Sequence, residues 1–430
     1  MPTRYRLPLY IAGAAAARTG DEMSGPALLL VGIAVTDSAS AGSALLSGIM
    51  ISAAVGGPVF GAMLDRSAAP GRLLTGALAA YSAVLVAILL TLGHLPLPVV
   101  IATAVFGGLL GPALAGGWTS QLPRLVEPGR LPRANALDAM TYNLASLTGP
   151  ALAGAIAILA GATSGVVAAV ALIILALPAA WTLPGNPSAS GRGPDTSVVA
   201  DLAAGFVAIV RARFLARATV TSVISYIGVG MLVTCSPLLG EEALGGANSG
   251  TFLLAALAAA SLAANALLAK RPDSLRPDTA VLGSTLVLAA AFLLAATVSP
   301  VYLFVAMVLA GAGAGPQLTA LFAVRHREAP ERLRGQIFTT GASLKITGYA
   351  VGAGIGGPIA TWSLSGSLVV AAGFEVLAAV AFVLFTVAGR GPTVKRTKDT
   401  ASPREQRAAA LSGERVDQFP DERGDDLGGL

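Results

Sequence analysis

The sequence predicts an all-α integral membrane protein with about twelve transmembrane helices, arranged as two six-helix bundles around a central cavity. Three observations support this fold class. Hydrophobic residues make up 54% of the 430 residues and charged residues only 12%, whereas soluble domains carry about a quarter charged residues. Apolar runs of roughly 20 residues, the length that crosses a bilayer, recur along the chain. Basic residues fall almost entirely in alternate gaps between these runs.

The alternation of basic residues predicts the topology. Arg4 and Arg6 precede the first run, and every second gap after it carries arginine or lysine. Short basic loops stay in the cytoplasm, so we expect a multi-pass protein of the cell membrane with both termini cytoplasmic. The net charge of +5 is spread along one membrane face, where it would attract anionic lipid. It therefore does not indicate a nucleic-acid partner.

In chain order, the apolar runs predict six helices, a linker and six further helices. The first six helices are expected at 7–35, 43–64, 73–92, 97–118, 135–159 and 164–183. Val199, Leu202 and Phe206 recur at helical spacing in an amphipathic segment, 198–210, which we expect on the inner surface. The last six helices are expected at 215–239, 250–269, 279–297, 301–323, 336–362 and 368–388. The predicted domains are the bundles 1–184 and 212–389, a linker at 185–211 and a disordered tail at 390–430.

The two predicted halves resemble each other. Helix four carries glycines followed by Pro112, and helix ten carries glycines followed by Pro316. In each half a basic loop comes next, and then a helix with a Gly-Pro pair, at 149–150 and at 357–358. Small residues also serve helix packing in lipid, which is the alternative explanation. The repeated order favours a duplicated bundle, a known plan for secondary transporters.

Ionisable residues inside helix one are the first functional candidates, because a charge in hydrocarbon is costly unless it is paired or hydrated. Arg18, Asp21 and Glu22 lie near the middle of this helix. Their spacing of three and four residues places them on one face, where we expect them to pair. A carboxylate that exchanges an arginine partner for a proton could couple proton flow to a conformational change. A static pair that fixes helix one is the alternative.

Three further ionisable residues lie within predicted helices. Lys345, in helix eleven, could bind an anionic group or balance a buried carboxylate. Glu375 lies in helix twelve, which we expect to be peripheral, so a structural role is favoured. Asp138 lies near the cytoplasmic start of helix five.

Several polar or amphipathic residues suit a cavity that hydrogen-bonds a solute while apolar walls hold its body. Bridging between helices is their alternative role. The cavity candidates are Trp118, Tyr142, Asn143, Tyr226, Gln317 and Lys345.

The sequence argues against an enzyme. It contains no Walker A phosphate loop, no His/Glu metal cluster and no Ser/His/Asp set. Cys235 is the only cysteine, which excludes an internal disulfide and a multi-cysteine metal site. We therefore expect no cofactor and no metal.

The loop after helix two carries a recognisable motif. It reads Gly61-Ala-Met-Leu-Asp65-Arg66, followed by a further Gly-Arg pair that ends at Arg72. This resembles the signature loop of the major facilitator superfamily, although four residues precede the second pair where that family usually has one. The resemblance implies a latch that breaks and re-forms during alternating access. Asp65 would face the positive end of a helix, and Arg66 would pair across the bundle. Fixing the topology is the alternative role.

Further segments resemble the exporter branch of that family, which includes the enterobactin exporter and macrolide efflux proteins. They are the Arg-Thr-Gly-Asp-Glu run at 18–22, the loop segments 121–126 and 133–138, and the segment 149–154 within helix five. Gly149, Pro150 and Gly154 are similar to the antiporter motif, which normally ends in two glycines, whereas Ala155 follows here.

The resemblance and the buried charges together predict a monomeric exporter of a small amphipathic molecule. Proton antiport would supply the energy, with Asp21 as the first carrier candidate and Glu22 as the second. One alternative is an importer or uniporter on the same scaffold. Another is a non-transporting membrane receptor that uses the tail from Arg390 onward.

Overall fold

The computed structural model describes residues 6–186, 198–246, 249–272, 274 and 276–388. Within these residues the chain is almost entirely helical and contains no strand. Its helices are α1 (Arg6–Thr36), α2 (Ala39–Arg66), α3 (Pro70–Thr91), α4 (Leu97–Gly108), α5 (Leu131–Ala160), α6 (Ala162–Trp181), α7 (Val198–Arg211), α8 (Arg213–Leu244), α9 (Gly250–Lys270), α10 (Pro277–Ala295), α11 (Pro300–Glu328), α12 (Arg334–Trp362) and α13 (Leu364–Ala388).

The lengths and composition of these helices confirm the predicted fold class. In the described part of the chain, ten helical segments are long and apolar enough to cross a membrane. α1 and α12, with 31 and 29 residues, are also long enough, but they carry ionisable residues within their spans. With α1 and α12 added to these ten segments, the described residues form a multi-pass, all-α membrane protein with twelve candidate spans. α7 is the short amphipathic helix, and it ends within one residue of its predicted bound.

Several arginine-bearing loops meet at one end of the bundle, which we call the arginine-rich end. α2 ends there at Arg66, and α12 begins there at Arg334. Asp65 joins the two, because its carboxylate accepts hydrogen bonds from the first backbone N–H groups of α12. Arg124, in a short 3-10 helix at Leu122–Arg124, is near enough to Asp65 and Arg334 to interact electrostatically.

Two helix pairs make the most extensive contacts between the first and second halves of the chain. α2 packs against α12, and α5 packs against α9. The first contact depends on glycines, since a Cβ on Gly57 would overlap the Ser343 hydroxyl and a Cβ on Gly61 would overlap the Thr339 hydroxyl. Small residues allow this close approach of two helix backbones in lipid.

Helix four differs from the prediction. It was expected as one run over 97–118, but α4 ends at Gly108 and a π-helical turn follows at Ala113–Gly117. Pro112 lies between them, where its ring and its missing N–H disrupt the helical hydrogen bonds. The turn brings Gly116 against α12, where an added Cβ would lie 2.5 Å from the Phe338 carbonyl oxygen.

Helix ten also differs, because it was predicted to end at 323 and α11 continues to Glu328. Arg325 and His326, expected in a basic loop, are instead buried within this helix. The His326 ring packs on Phe338, with centroids 4.4 Å apart. The predicted tail at 390–430 and residues 187–197 of the predicted linker lie outside the described residues.

Candidate functional site

A buried ion pair joins α1 to α5. Arg18, 2% exposed, donates from Nη1 to Asp138 Oδ1 at 2.8 Å and to the hydroxyl of Thr141. Its Nη2 donates to Thr119 Oγ1 at 3.0 Å. The carboxylate also accepts from Tyr10 Oη at 2.9 Å and from Thr119 Oγ1 at 2.8 Å. Both charges are therefore compensated inside the helix bundle, the condition under which a buried ion pair is tolerated.

The predicted pairing of Arg18 with Asp21 and Glu22 is wrong. Its guanidinium turns toward α5 and pairs with Asp138 instead. The physical reason is the number of donors, since a guanidinium has five N–H groups to satisfy and α5 together with the segment before it offers a carboxylate and two hydroxyls. Asp21 and Glu22 are consequently not neutralised by this arginine.

The two carboxylates of helix one occupy different surroundings. Asp21 is half-buried and faces the hydroxyl of Tyr81 on α3. Glu22 is exposed, accepts a long hydrogen bond of 3.4 Å from Ser146 Oγ, and is near enough to Lys345 to interact electrostatically. Glu22 therefore faces the second half of the protein, whereas Asp21 faces the interior of the first half.

Gly149 determines how closely α5 approaches this part of α1. A Cβ on Gly149 would lie 2.6 Å from Glu22 Cβ and 3.0 Å from the Glu22 carbonyl carbon. Pro150 follows within α5, and Gly154, one turn further, has open space where a Cβ would stand. The first glycine of the motif is thus required by packing, and Gly154 is not.

Lys345 lies beside two tyrosines, one from each half. Its Nζ is 4.3 Å from the ring centroid of Tyr226 on α8 and 5.7 Å from that of Tyr142 on α5. Arg18 Cζ lies 3.7 Å from the same Tyr142 centroid. All three distances from a cationic group to a tyrosine ring are within the range of cation–π attraction. We call Glu22, Lys345, Tyr142 and Tyr226 the central site.

An aromatic cluster separates the central site from the arginine-rich end. The Tyr142 ring lies 5.5 Å from Phe322 on α11, and Phe322 lies 6.0 Å from Phe338 on α12. Both phenylalanines are buried. Because these side chains come from both halves, the halves are in contact between the central site and the arginine-rich end. Glu22, in contrast, is exposed.

The signature loop forms the contact that the resemblance implies. Asp65, 5% exposed, accepts from the backbone N–H of Gly335 at 2.7 Å and of Gln336 at 2.8 Å. These groups lie in the first turn of α12, where N–H groups have no partner within the helix. Arg66 ends α2, and Arg72 Cζ lies 5.4 Å from the centroid of the Trp181 ring. In this conformation the arginine-rich end is closed.

The remaining cavity candidates lie apart from the central site. Trp118 is fully buried and packs edge-on against Tyr10, with centroids 5.6 Å apart. Gln317 is 2% exposed and donates to hydroxyls within the second half. Asn143 is half-buried. The structure thus places Trp118 and Gln317 in contacts between helices, the alternative role that the sequence left open for them.

Glu375 is fully buried and accepts a hydrogen bond from Ser225 Oγ at 2.9 Å, although it lies in the helix that the sequence predicts to be peripheral. A signal was available in the alanines at helical spacing around it, which mark the side of α13 that packs closely against other helices. These buried alanines are Ala371, Ala372, Ala378 and Ala379.

Long apolar helices that bury ionisable residues, such as the Arg18–Asp138 pair, are typical of a membrane transport protein. Comparison with known families identifies which one. The sequence pattern of the Major Facilitator Superfamily matches residues 10–340. The chain belongs to this superfamily of carriers of small molecules.

One curated relative and several solved structures are similar to this chain. An uncharacterized MFS-type transporter, y4rN, of Sinorhizobium fredii is 29% identical over 352 residues, covering 79% of this chain and 83% of that protein. The human organic anion transporter MFSD10 (TETRAN) matches with a TM-score of 0.70 and 15% identity, over 89% of this chain and 100% of that one.

Two further structures share the fold. A bacterial homologue of the iron transporter ferroportin, in its outward-facing state, has a TM-score of 0.69 and 14% identity, over 89% of this chain and 99% of that one. The proton:xylose symporter XylE has a TM-score of 0.68 and 13% identity, over 88% of this chain and 95% of that one. At these identities the similarity shows the fold alone.

Proposed function

We propose that this protein exports a small amphipathic molecule in exchange for protons, by alternating access. The observation that carries this proposal is the Arg18–Asp138 pair. Because Asp138 neutralises the arginine, Asp21 and Glu22 remain available to bind a proton. A group that couples proton flow must exist in both protonation states during the cycle, which a carboxylate locked to an arginine cannot do.

The charges assign different roles to the two carboxylates. Asp21 is the proposed proton carrier, since it is half-buried beside the Tyr81 hydroxyl, where a neutral acid is tolerated more readily than in water. Glu22 is the second carrier and the one exposed toward the solute, opposite Lys345. Tyr142 and Tyr226 supply apolar faces with polar hydroxyls, which suit the body of an amphipathic solute.

The conformation corresponds to one half of the proposed cycle. The Asp65 contacts with α12 and the aromatic cluster close the arginine-rich end. Protonation from the open side would neutralise the carboxylates of Asp21 and Glu22, and the halves would then rock so that Asp65 leaves α12. Release of the protons at the arginine-rich end and binding of the solute there would complete the exchange.

Direction and location follow from the motifs and the charged loops. The segments at 18–22, 121–126, 133–138 and 149–154 resemble the exporter branch, which favours export. The positive-inside tendency supports a cell-membrane protein with the arginine-rich end and both termini in the cytoplasm. The first half at 1–184 and the second half at 212–389 would be the rocking units, and a single chain would suffice for transport.

The experiment that tests this proposal measures proton release from energised everted vesicles containing the protein. Siderophores, macrolides and dyes are added singly, and each active solute is repeated with Asp21→Asn. Glu242→Gln, which removes an exposed carboxylate from the end of α8, is the matched control. We expect solute-triggered proton release from the native and control proteins and none from Asp21→Asn.

Other outcomes would reject parts of the proposal. Uptake of solute into intact cells without an opposing proton flux would favour the importer or uniporter. A response that survives in Asp21→Asn but is lost with Glu22→Gln would move the carrier role to Glu22. A response that survives both substitutions would remove the carrier role from helix one.

A further inference from the structure

The second half contains a carboxyl group that the proposed cycle does not use. Glu375 lies near the middle of α13 and is fully buried. Its Oε1 accepts from Ser225 Oγ on α8 at 2.9 Å. Of the described residues, none provides a hydrogen-bond partner for the buried Oε2. One hydrogen bond is a small compensation for an ionised carboxylate inside a membrane protein.

The neighbours of Glu375 form a neutral network. Ser225 Oγ accepts from Gln317 Nε2 on α11 at 3.2 Å, and the same nitrogen donates to Thr285 Oγ1 on α10 at 3.0 Å. Ser225, Thr285 and Gln317 are themselves buried. Glu375 therefore contacts the Ser225 hydroxyl, and the Ser225 hydroxyl contacts the Gln317 amide, which also contacts the Thr285 hydroxyl. None of these groups is a cation.

Charged residues on the same helices lie away from this network. Arg217 on α8 and Asp278 on α10 form an ion pair at the arginine-rich end. Arg217 is eight residues before Ser225, and Arg325 is eight residues after Gln317, which is about 12 Å along a helix axis. Glu375 is the only ionisable residue in α13. No described charge is placed to balance an ionised Glu375.

We propose that Glu375 binds a proton in this conformation and is a second proton site, separate from Asp21 and Glu22. Neutralisation by a proton is how a buried carboxyl without a cationic partner avoids the cost of burying its charge. The occupancy of this site does not depend on the proposed function; only its part in transport rests on proton coupling.

The site has a direct connection to the central site through α8. Ser225, which bonds to Glu375, precedes Tyr226, whose ring lies 4.3 Å from Lys345 Nζ. An ionised Glu375 would need a donor beyond the Ser225 hydroxyl, and it would draw on the Gln317 amide, which now donates to Ser225 and Thr285. Such a rearrangement shifts the segment of α8 that carries Tyr226. Protonation of Glu375 is in this way coupled to the wall of the central site.

Dicyclohexylcarbodiimide provides the test, because it reacts with protonated carboxyl groups in apolar surroundings. The carboxyl O–H adds across one C=N bond, its proton passes to nitrogen, and the O-acylisourea rearranges to an N-acylurea with no leaving group. The reagent can enter from lipid, since Val376 and Leu377 beside Glu375 are 48% and 50% exposed. Labelled peptides from membranes at neutral pH are identified by mass spectrometry.

We expect the α13 peptide of the full-length protein to gain one carbodiimide, and Glu375→Gln to lose this label completely. The exposed Glu241 and Glu242 are internal controls that should remain unlabelled in the same sample. Protection of Glu375 by sodium ions at constant pH would overturn the proposal in favour of a metal-cation site.

A second measurement covers the case in which the reagent fails to reach the group. The infrared difference spectrum between the native protein and Glu375→Gln should contain the carbonyl band of a protonated carboxylic acid. A carboxylate band in its place would overturn the proposal. In the vesicle assay, Glu375→Gln should lower by one the protons released per solute, while failure of Asp21→Asn to abolish release would count against the proposed function alone.

Discussion

Removal of the Asp65 carboxylate tests the latch most directly. Asp65→Ala deletes two hydrogen bonds from a charged acceptor to the backbone N–H groups of Gly335 and Gln336. Hydrogen bonds to charged groups contribute about 1.5–3 kcal/mol each, so the closed conformation should lose at least about 3 kcal/mol. Favourable interaction of a carboxylate with a helix N-terminus adds to this loss. A change of this size shifts a two-state equilibrium by roughly 100-fold.

The assay uses a cysteine buried under the latch. Thr339 is fully buried against Gly61, so Thr339→Cys in a Cys235→Ser background should react with an impermeant maleimide only when the arginine-rich end opens. Labelling in everted vesicles should accelerate by up to roughly 100-fold with Asp65→Ala, and less with Asp65→Asn, which keeps one acceptor oxygen.

The control removes an acid from the same end of the bundle without touching the latch. Asp278 pairs with Arg217 and Arg327, all of which lie in the second half. Asp278→Ala should therefore leave the labelling rate of the Thr339 cysteine nearly unchanged. Equal acceleration by Asp65→Ala and Asp278→Ala would refute the reasoning, because it would mean that the rate reports general loosening of the arginine-rich end.

Two further predictions follow from the packing of α5. Gly149→Leu should abolish transport while Gly154→Leu retains it, because only at Gly149 would an added Cβ lie 2.6 Å from Glu22 Cβ. Transport into vesicles at matched expression measures the difference. Equal loss of transport in both variants would contradict the assignment. Asp138→Leu should destabilise the protein by about 3–5 kcal/mol by leaving the Arg18 charge unpaired, measured by thermal unfolding in detergent. If the double variant Arg18→Met with Asp138→Leu loses much less stability than Asp138→Leu alone, the unpaired charge is the cause. If the stability losses of the two single variants add, it is not.

The fold was readable from the sequence because its signals are local. Runs of apolar residues set the helix lengths, and the segment 198–210 predicted α7 to within one residue. The interruption of helix four was missed, although Pro112 and its flanking glycines supplied the signal. The end of α11 was missed because Arg325 and His326 resemble a basic loop by composition alone.

The site was only partly readable, because its decisive contacts join residues distant in the chain. Helical spacing predicted that Arg18 pairs with Asp21 and Glu22, and it could not reveal that the partner is Asp138, 120 residues away. Glu375 was undervalued for the same reason, since its burial depends on how α13 packs. Local spacing identifies which charges are unusual, and tertiary packing decides which of them remain unpaired.

The Arg18–Asp138 pair also bears on how the protein responds to membrane voltage. A paired arginine and aspartate carry no net charge, so their displacement with the first half does no work against the transmembrane field. An ionised Asp21 or Glu22 carries a full charge, for which crossing the field is worth about 2.3 kcal/mol per 100 mV. The voltage dependence of transport should therefore change when these carboxylates are neutralised.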